Sequence, residues 1–170
     1  MRRFGLVIGA DGLHSNVRRL IFGSQDQFER QLGYYVAAFE VEGYRPRDEN
    51  VYVIHSQPGR MVGRFALHDD RTLFLFVFAF DRSVPVFDVA MQKAILREHF
   101  GDGTWECPRI LDKLDRTESL YFDRVSQIKM EHWSRGRIAL VGDAAFCVSL
   151  MVDGRPGLGA RDHSRLCYGR

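Results

Sequence analysis

Two stretches of the 170-residue sequence have the residue types to hold a sugar and a phosphate. One runs Leu6-Val7-Ile8-Gly9-Ala10-Asp11-Gly12-Leu13-His14-Ser15-Asn16-Val17-Arg18. The other runs Gly136-Arg137-Ile138-Ala139-Leu140-Val141-Gly142-Asp143-Ala144-Ala145. Each is an apolar run that feeds a turn of small residues bearing one aspartate. Small residues let a cofactor's ribose and pyrophosphate approach the backbone, and a carboxylate at a strand end accepts hydrogen bonds from sugar hydroxyls. Ligands of parallel α/β sheets collect at those carboxyl ends. The ordinary alternative is that Asp-Gly and Gly-Asp are common turn dipeptides.

Other residues carry less. His55, Arg60 and Arg64 are candidates for lining a substrate pocket, although sheet surfaces carry such residues routinely. Phe74, Phe76, Phe78 and Phe80 would wall an aromatic pocket or pack a core, and packing is the commoner use. Trp105 and Trp133 read as packing residues. Cys147 follows the second stretch, but no neighbouring base argues for nucleophilic catalysis. The three cysteines, Cys107, Cys147 and Cys167, are odd in number and widely spaced, which is no disulfide framework. With scattered histidines and no C-x-x-C, no metal site is expected. A net charge of +2 gives no case for nucleic acid or an anionic membrane. The longest apolar run, Leu73 to Phe80, is too short for a membrane span, and residues 1–8 lack the long apolar stretch of a secretory signal. A reduced, cytoplasmic protein is the expectation.

The elements that must position these residues follow from periodicity. Phe4 to Ile8 reads as a buried strand entering the turn at Gly9 to Gly12. A short helix follows, with Ser15 as N-cap and Gly23 as stop. Gly33–Val41, Val51–Ser56, Met61–Leu67 and Thr72–Phe80 read as strands of an antiparallel meander. Their turns fall at 45–50, 57–60 and 68–71. The last run is apolar at consecutive positions, which predicts cover on both faces. Helical spacing takes over from Asp88 to Phe100 and again around Pro108 to Leu114. Strand character returns at 120–122 and 125–130. Arg135-Gly136-Arg137 is a turn into a second buried strand, Ile138 to Val141. Residues 151–170 lose all periodicity.

Taken together and in this order, the two stretches resemble the Asp-Gly and Gly-Asp fingerprints of class A FAD-dependent monooxygenases, the aromatic-ring hydroxylases of the para-hydroxybenzoate hydroxylase type. The resemblance covers about residues 4–150. It implies an α/β fold: a partial, Rossmann-like FAD-binding layer with an inserted β-rich substrate domain. The divisions expected are 1–23 for the Asp-Gly part, 24–131 for the substrate domain, 132–150 for the Gly-Asp strand and 151–170 for an atypical tail. The family's roles carry over as FAD ribose binding by Asp143, with Gly142 and Ala144 beside it. FAD and NAD(P)H contacts fall to Asp11 and Gly12, and more weakly to Ser15 and Arg18. The chemistry implied is reduction of FAD by NADPH or NADH, then delivery of one oxygen atom from O₂ to a small, aromatic or related organic substrate. No catalytic acid or base is assigned.

Two departures from the family pattern matter. Only residues 1–10 precede Asp11, so no G-x-G-x-x-G helix precedes it to hold the pyrophosphate. This reads as a fragment whose FAD site a partner chain would complete. After Asp143 the family's Gly-rich turn and Ala-rich helix do not follow. The run Gly154-Arg155-Pro156-Gly157-Leu158-Gly159 has the wrong spacing to replace them. A frameshift near Met151 is one account of the tail. The readings in competition with an enzyme are an inactive truncated or frameshifted remnant, and a small-ligand binding module without flavin.

Overall fold

A computed structural model describes residues 4–45, 51–84 and 88–147 of the chain. Residues 46–50 of the expected turn at 45–50, and the tail at 151–170 with Cys167, lie outside the described residues. The fold is mixed α/β and divides into two compact units, one formed by Met1–Leu32 with Val125–Arg170, the other by Gly33–Arg124.

The second unit is built on the meander. Its strands are β2 (Glu29–Glu42), β3 (Tyr52–Gln57), β4 (Arg60–Ala66), β5 (Arg71–Ala79) and β6 (Tyr121–Ile128), in the order β3-β4-β5-β2-β6. The unit boundaries fall within β2 and β6. β3 pairs antiparallel with β4, β4 with β5, and β5 with β2. The turns are local chemistry. Pro58-Gly59 closes β3 onto β4 with Gly59 at φ 77°. At His68 to Arg71 both central residues, Asp69 and Asp70, are left-handed at φ 58° and 57°. The twist of an antiparallel pair favours that geometry, and aspartate tolerates it better than most residues.

Two helices, α2 (Val89–Phe100) and α3 (Cys107–Arg116), cover one face of this sheet. Asp88 caps α2 by accepting from the Met91 N–H at 2.9 Å. The register puts Tyr35 opposite Phe78, Ala37 opposite Phe76 and Phe39 opposite Phe74. These six pack with Ile95, Leu96 and Phe100 of α2 and with Ile110, Leu111 and Leu114 of α3. The expectation of cover on both faces of β5 holds fully for one and in part for the other. Thr72, Phe74, Phe76 and Phe78 are wholly buried on the helix side, while opposite them Leu73 and Leu75 are half-buried and Val77 is buried. Both helices lie on the same side, so only alternate residues meet them.

The first unit is small. β1 (Val7–Gly9) pairs in parallel with β8 (Ile138–Leu140), and β7 (Ser134–Arg135) joins β8 through a hairpin turn at Gly136. Helix α1 (Asn16–Ile21) follows β1. One core cluster of this unit is Leu140, Ala144 and Ala145, with Val17, Phe22, Met130 and Phe146 packed against them. The expected burial of β1 is corrected here. Val7 is 38% and Ile8 58% exposed, and of the strand only Gly9 is buried. A sheet this narrow, with one short helix, leaves apolar positions uncovered among the described residues.

Candidate functional site

The two motif turns leave neighbouring strands at the same end. Val7 is opposite Ile138, Ile8 opposite Ala139 and Gly9 opposite Leu140, and the strands run parallel. Backbone bonds at 2.9 Å, Val7 N–H to Arg137 C=O and Val141 N–H to Gly9 C=O, close the pair at both ends. Asp11 and Asp143 therefore both follow the carboxyl ends of adjacent strands. Gly9 makes this packing close. A Cβ there would lie 2.7 Å from Leu140 Cδ2 and 2.9 Å from Val17 Cβ. Gly12 at φ 79° and Gly142 at φ 59° turn the backbone in conformations glycine favours, with open space where a Cβ would be.

On the Asp-Gly side the polar groups are spent internally. The Ser15 hydroxyl donates to Asp11 Oδ1 at 2.5 Å, and the Asn16 and Val17 N–H groups donate to Asp11 Oδ2 at 2.7 and 3.1 Å. Ser15 Oγ in turn accepts from the Arg18 N–H at 3.0 Å. Asp11 and Ser15 thus satisfy the first three N–H groups of α1, which otherwise lack partners. The Ser15 hydrogen bond, above all, holds the Asp11 carboxyl below its ordinary value. Arg18 is fully buried. It donates through Nη1 to the Ala144 carbonyl at 2.8 Å and through Nη2 to the Leu13 carbonyl.

On the Gly-Asp side the carboxylate is open. Gly142, Asp143 and Ala144 form one 3-10 turn, closed by Ala145 and Phe146 N–H groups donating to the Gly142 carbonyl at 2.9 Å each. Ala144 is buried, whereas Asp143 is exposed and accepts no hydrogen bond among the described residues. Burial first, and then the Asp143 charge, push the neighbouring Cys147 thiol up, with Arg18 opposing. A thiol held in its neutral form is a poor nucleophile. The geometry fits the sugar end of a nucleotide cofactor: an uncommitted carboxylate, two small turns without Cβ obstruction, and parallel strand ends. It gives no cradle for a pyrophosphate among the described residues, because the N-terminus of α1 already holds the Asp11 carboxylate.

Of the residues expected to line a substrate pocket, Arg60 borders an open cleft with Pro58, Gly59, Ala79, Glu98 and His99. The register places His55, Arg60 and Arg64 on the helix-covered face of the sheet. Arg64, 4% exposed, pairs with Glu106 at 2.7 Å. Arg60 pairs with Asp102 and the His99 carbonyl. His55 stacks on Trp105 at 5.7 Å. Two roles escaped the sequence. One is Gly9 as the contact point of strand and helix, which its place at a strand end hints at. The other is Glu106 as the joint acceptor of Arg64 and Tyr44, which nothing in the local pattern signals.

The chain is similar to known proteins over most of its length. The FAD binding domain family matches residues 4–159. An uncharacterized protein of Mycobacterium tuberculosis is 38% identical over 150 residues, which span 87% of this chain and 40% of that protein. A flavin-dependent monooxygenase of Legionella longbeachae is 32% identical over 159 residues, 88% of this chain and 39% of that protein. The crystal structure of tetracycline destructase Tet(55) superposes with a TM-score of 0.74 at 34% identity, covering 85% of this chain and 39% of that one. The chain spans about 40% of the length of the relatives it matches.

Proposed function

The chain belongs to the FAD binding domain family found in flavin-dependent monooxygenases, and from that premise we propose that it forms part of a hydroxylase that uses NADPH or NADH and O₂ on an aromatic or related organic substrate. Bound FAD would supply the redox chemistry. The chain's own residues bind, place and shield. The observation that carries the reading is the Asp143 carboxylate, exposed and uncommitted at the end of β8 beside the end of β1. In this proposal Asp143 accepts the ribose hydroxyls of FAD, while Gly142, Ala144 and Gly12 let the cofactor approach the backbone. Asp11, Ser15 and Arg18 serve the same site from behind, through the bonds that shape α1 and the two turns. A partner chain that supplies the pyrophosphate cradle is part of the proposal.

The substrate side has its own support. With His55, Arg60 and Arg64 turned toward the helices, the opposite face of β3, β4 and β5 carries Tyr52, Ile54, Met61, Phe65, Leu73 and Leu75. Tyr52 stacks on Phe65 at 3.7 Å, and its ring lies over Gly63, where a Cβ would meet it at 2.7 Å. A flat apolar wall suits an aromatic substrate better than a charged one. The 34%-identical tetracycline destructase is itself named for an organic substrate. No helix among the described residues is long and apolar enough to cross a membrane. The free thiols Cys107 and Cys147 support the cytoplasm as the proposed compartment.

The test is a titration with FAD, read by the backbone amide shifts of residues 142–145. The wild-type chain should shift there, and Asp143→Asn should weaken the response by about tenfold, the worth of a hydrogen bond to a charged group. Equal binding by the variant rejects the ribose assignment.

A further inference from the structure

One side chain joins the two motif turns, and packing alone does not account for it. Arg18 is 0% exposed. It makes no ion pair among the described residues, and its Nε has no hydrogen-bond partner there. Burial disfavours its charge, which the Asp11 and Glu29 carboxylates nearby only partly offset, and a methionine or leucine would fill the same space without that cost. What arginine alone offers is a rigid planar fork that holds two acceptors at a fixed separation. Its two acceptors are the Leu13 carbonyl, directly after Gly12, and the Ala144 carbonyl, directly after Asp143. The second lies inside the 3-10 turn on which Asp143 is carried.

We infer that Arg18 is a positioning residue: its guanidinium sets the separation of the Asp-Gly and Gly-Asp turns, and so fixes where the Asp143 carboxylate stands. The value of that placement for FAD rests on the ribose role proposed for Asp143; the strut itself does not. Anchoring the Ala144 carbonyl clamps a short turn that, among the described residues, is otherwise held by the Ala145 and Phe146 amides on the Gly142 carbonyl. A single link between two turns also explains why a short helix spends its one buried side chain there.

Native-state amide hydrogen exchange on the 170-residue chain tests this, with Arg18→Met and Arg18→Lys beside the wild type. In Arg18→Met the Ala145 and Phe146 amides should exchange about tenfold faster or more, as loss of a hydrogen bond from a charged donor implies. The Val7 and Val141 amides, which join β1 to β8, should stay within about twofold, because that ladder opens separately. Arg18→Lys keeps the charge and a single donating nitrogen in place of the fork, and should fall between. A uniform rise in all four amides, or no rise, overturns the inference. Should Arg18→Met not fold, Arg18→Lys against wild type makes the same comparison. The Asp143→Asn titration run alongside separates the two ideas. An unchanged FAD response rejects the ribose role, whereas only the pattern of exchange decides the strut.

Discussion

Asp11 and Asp143 look alike in sequence and differ in what they do. Each ends an apolar run in a Gly-bearing turn, so residue type and spacing could mark both as sugar acceptors but could not rank them. The difference is whether neighbouring donors reach the carboxylate first. Asp11 is claimed by Ser15, Asn16 and Val17, and Asp143 by no described residue. Asp11→Ala should therefore destabilise the chain by about 0.5–2 kcal/mol, the usual cost of losing a helix cap. Asp143→Asn, at an exposed site, should stay within about 0.5 kcal/mol. Urea melts of the two variants check this, and the opposite order would mean the roles are exchanged. The pH dependence has a definite sign. Because the folded Asp11 carboxyl titrates below its ordinary value, its contribution is present above about pH 4 and fades as pH falls through the depressed value. Acid melts of Asp11→Ala should accordingly show a shallower loss than wild type. Tyr44 has the reverse sign. Burial first, then the bond to Glu106, raise its hydroxyl well above the ordinary value. Its stabilisation is full below about pH 10 and is lost as pH climbs beyond that. Tyr44→Phe should cost about 0.5–1.5 kcal/mol at neutral pH and flatten the alkaline arm of the stability curve; an unchanged arm would show that Tyr44 does not govern it.

At the scale of elements, most of the fold was legible because local chemistry agrees with the final packing. The turns at Pro58-Gly59 and Asp69-Asp70, the Asp88 cap and the Ser15 cap are where residue type places them. The misread elements are those decided by neighbours. β1 has the apolar run of a buried strand, but Ile8 is 58% exposed because a strand's burial depends on what lies over it. The cover expected on both faces of β5 is complete on the helix side and reaches only Val77 on the other, since a run of consecutive apolar residues does not say how many layers it meets. His55, Arg60 and Arg64 alternate onto the helix side by register, and register is invisible until the partners Val62, Phe78 and Phe74 are known. The junction of β1, β8 and α1 gives a sharp expectation. Gly9→Ala puts a methyl 2.7 Å from Leu140 Cδ2 and 2.9 Å from Val17 Cβ. Overpacking of this kind costs about 1–3 kcal/mol. Chemical denaturation should show that loss, whereas Gly5→Ala, which meets nothing within 4 Å, should be near neutral. Equal effects at the two positions would mean that the strand and helix are not in contact at Gly9.

For the whole molecule, the two units differ in how much they carry of their own stability and function. Gly33–Arg124 has a five-stranded sheet with two helices and a continuous aromatic core. Among the described residues, the unit that bears both motifs has five buried apolar residues, Val125, Ile128, Leu140, Ala144 and Ala145, and large exposed ones at Phe4, Leu6, Ile8 and Leu20. The cofactor contacts it presents are equally partial. The helix N-terminus that could meet a phosphate is occupied by Asp11, and what is open is the Asp143 carboxylate with two glycine turns. A hydrogen bond to a charged group contributes about 1.5–3 kcal/mol. Two of them fall short of the roughly 8 kcal/mol that micromolar binding requires. The 170-residue chain by itself should therefore bind FAD with an affinity weaker than micromolar. Flavin fluorescence during titration of the purified chain measures this, with no stoichiometric break expected at micromolar protein. Addition of a polypeptide that carries a G-x-G-x-x-G strand and helix should tighten binding, because it brings the helix N-terminus that meets a pyrophosphate. Tight stoichiometric binding by the chain alone would contradict this, and would mean that residues outside those described supply the missing contacts.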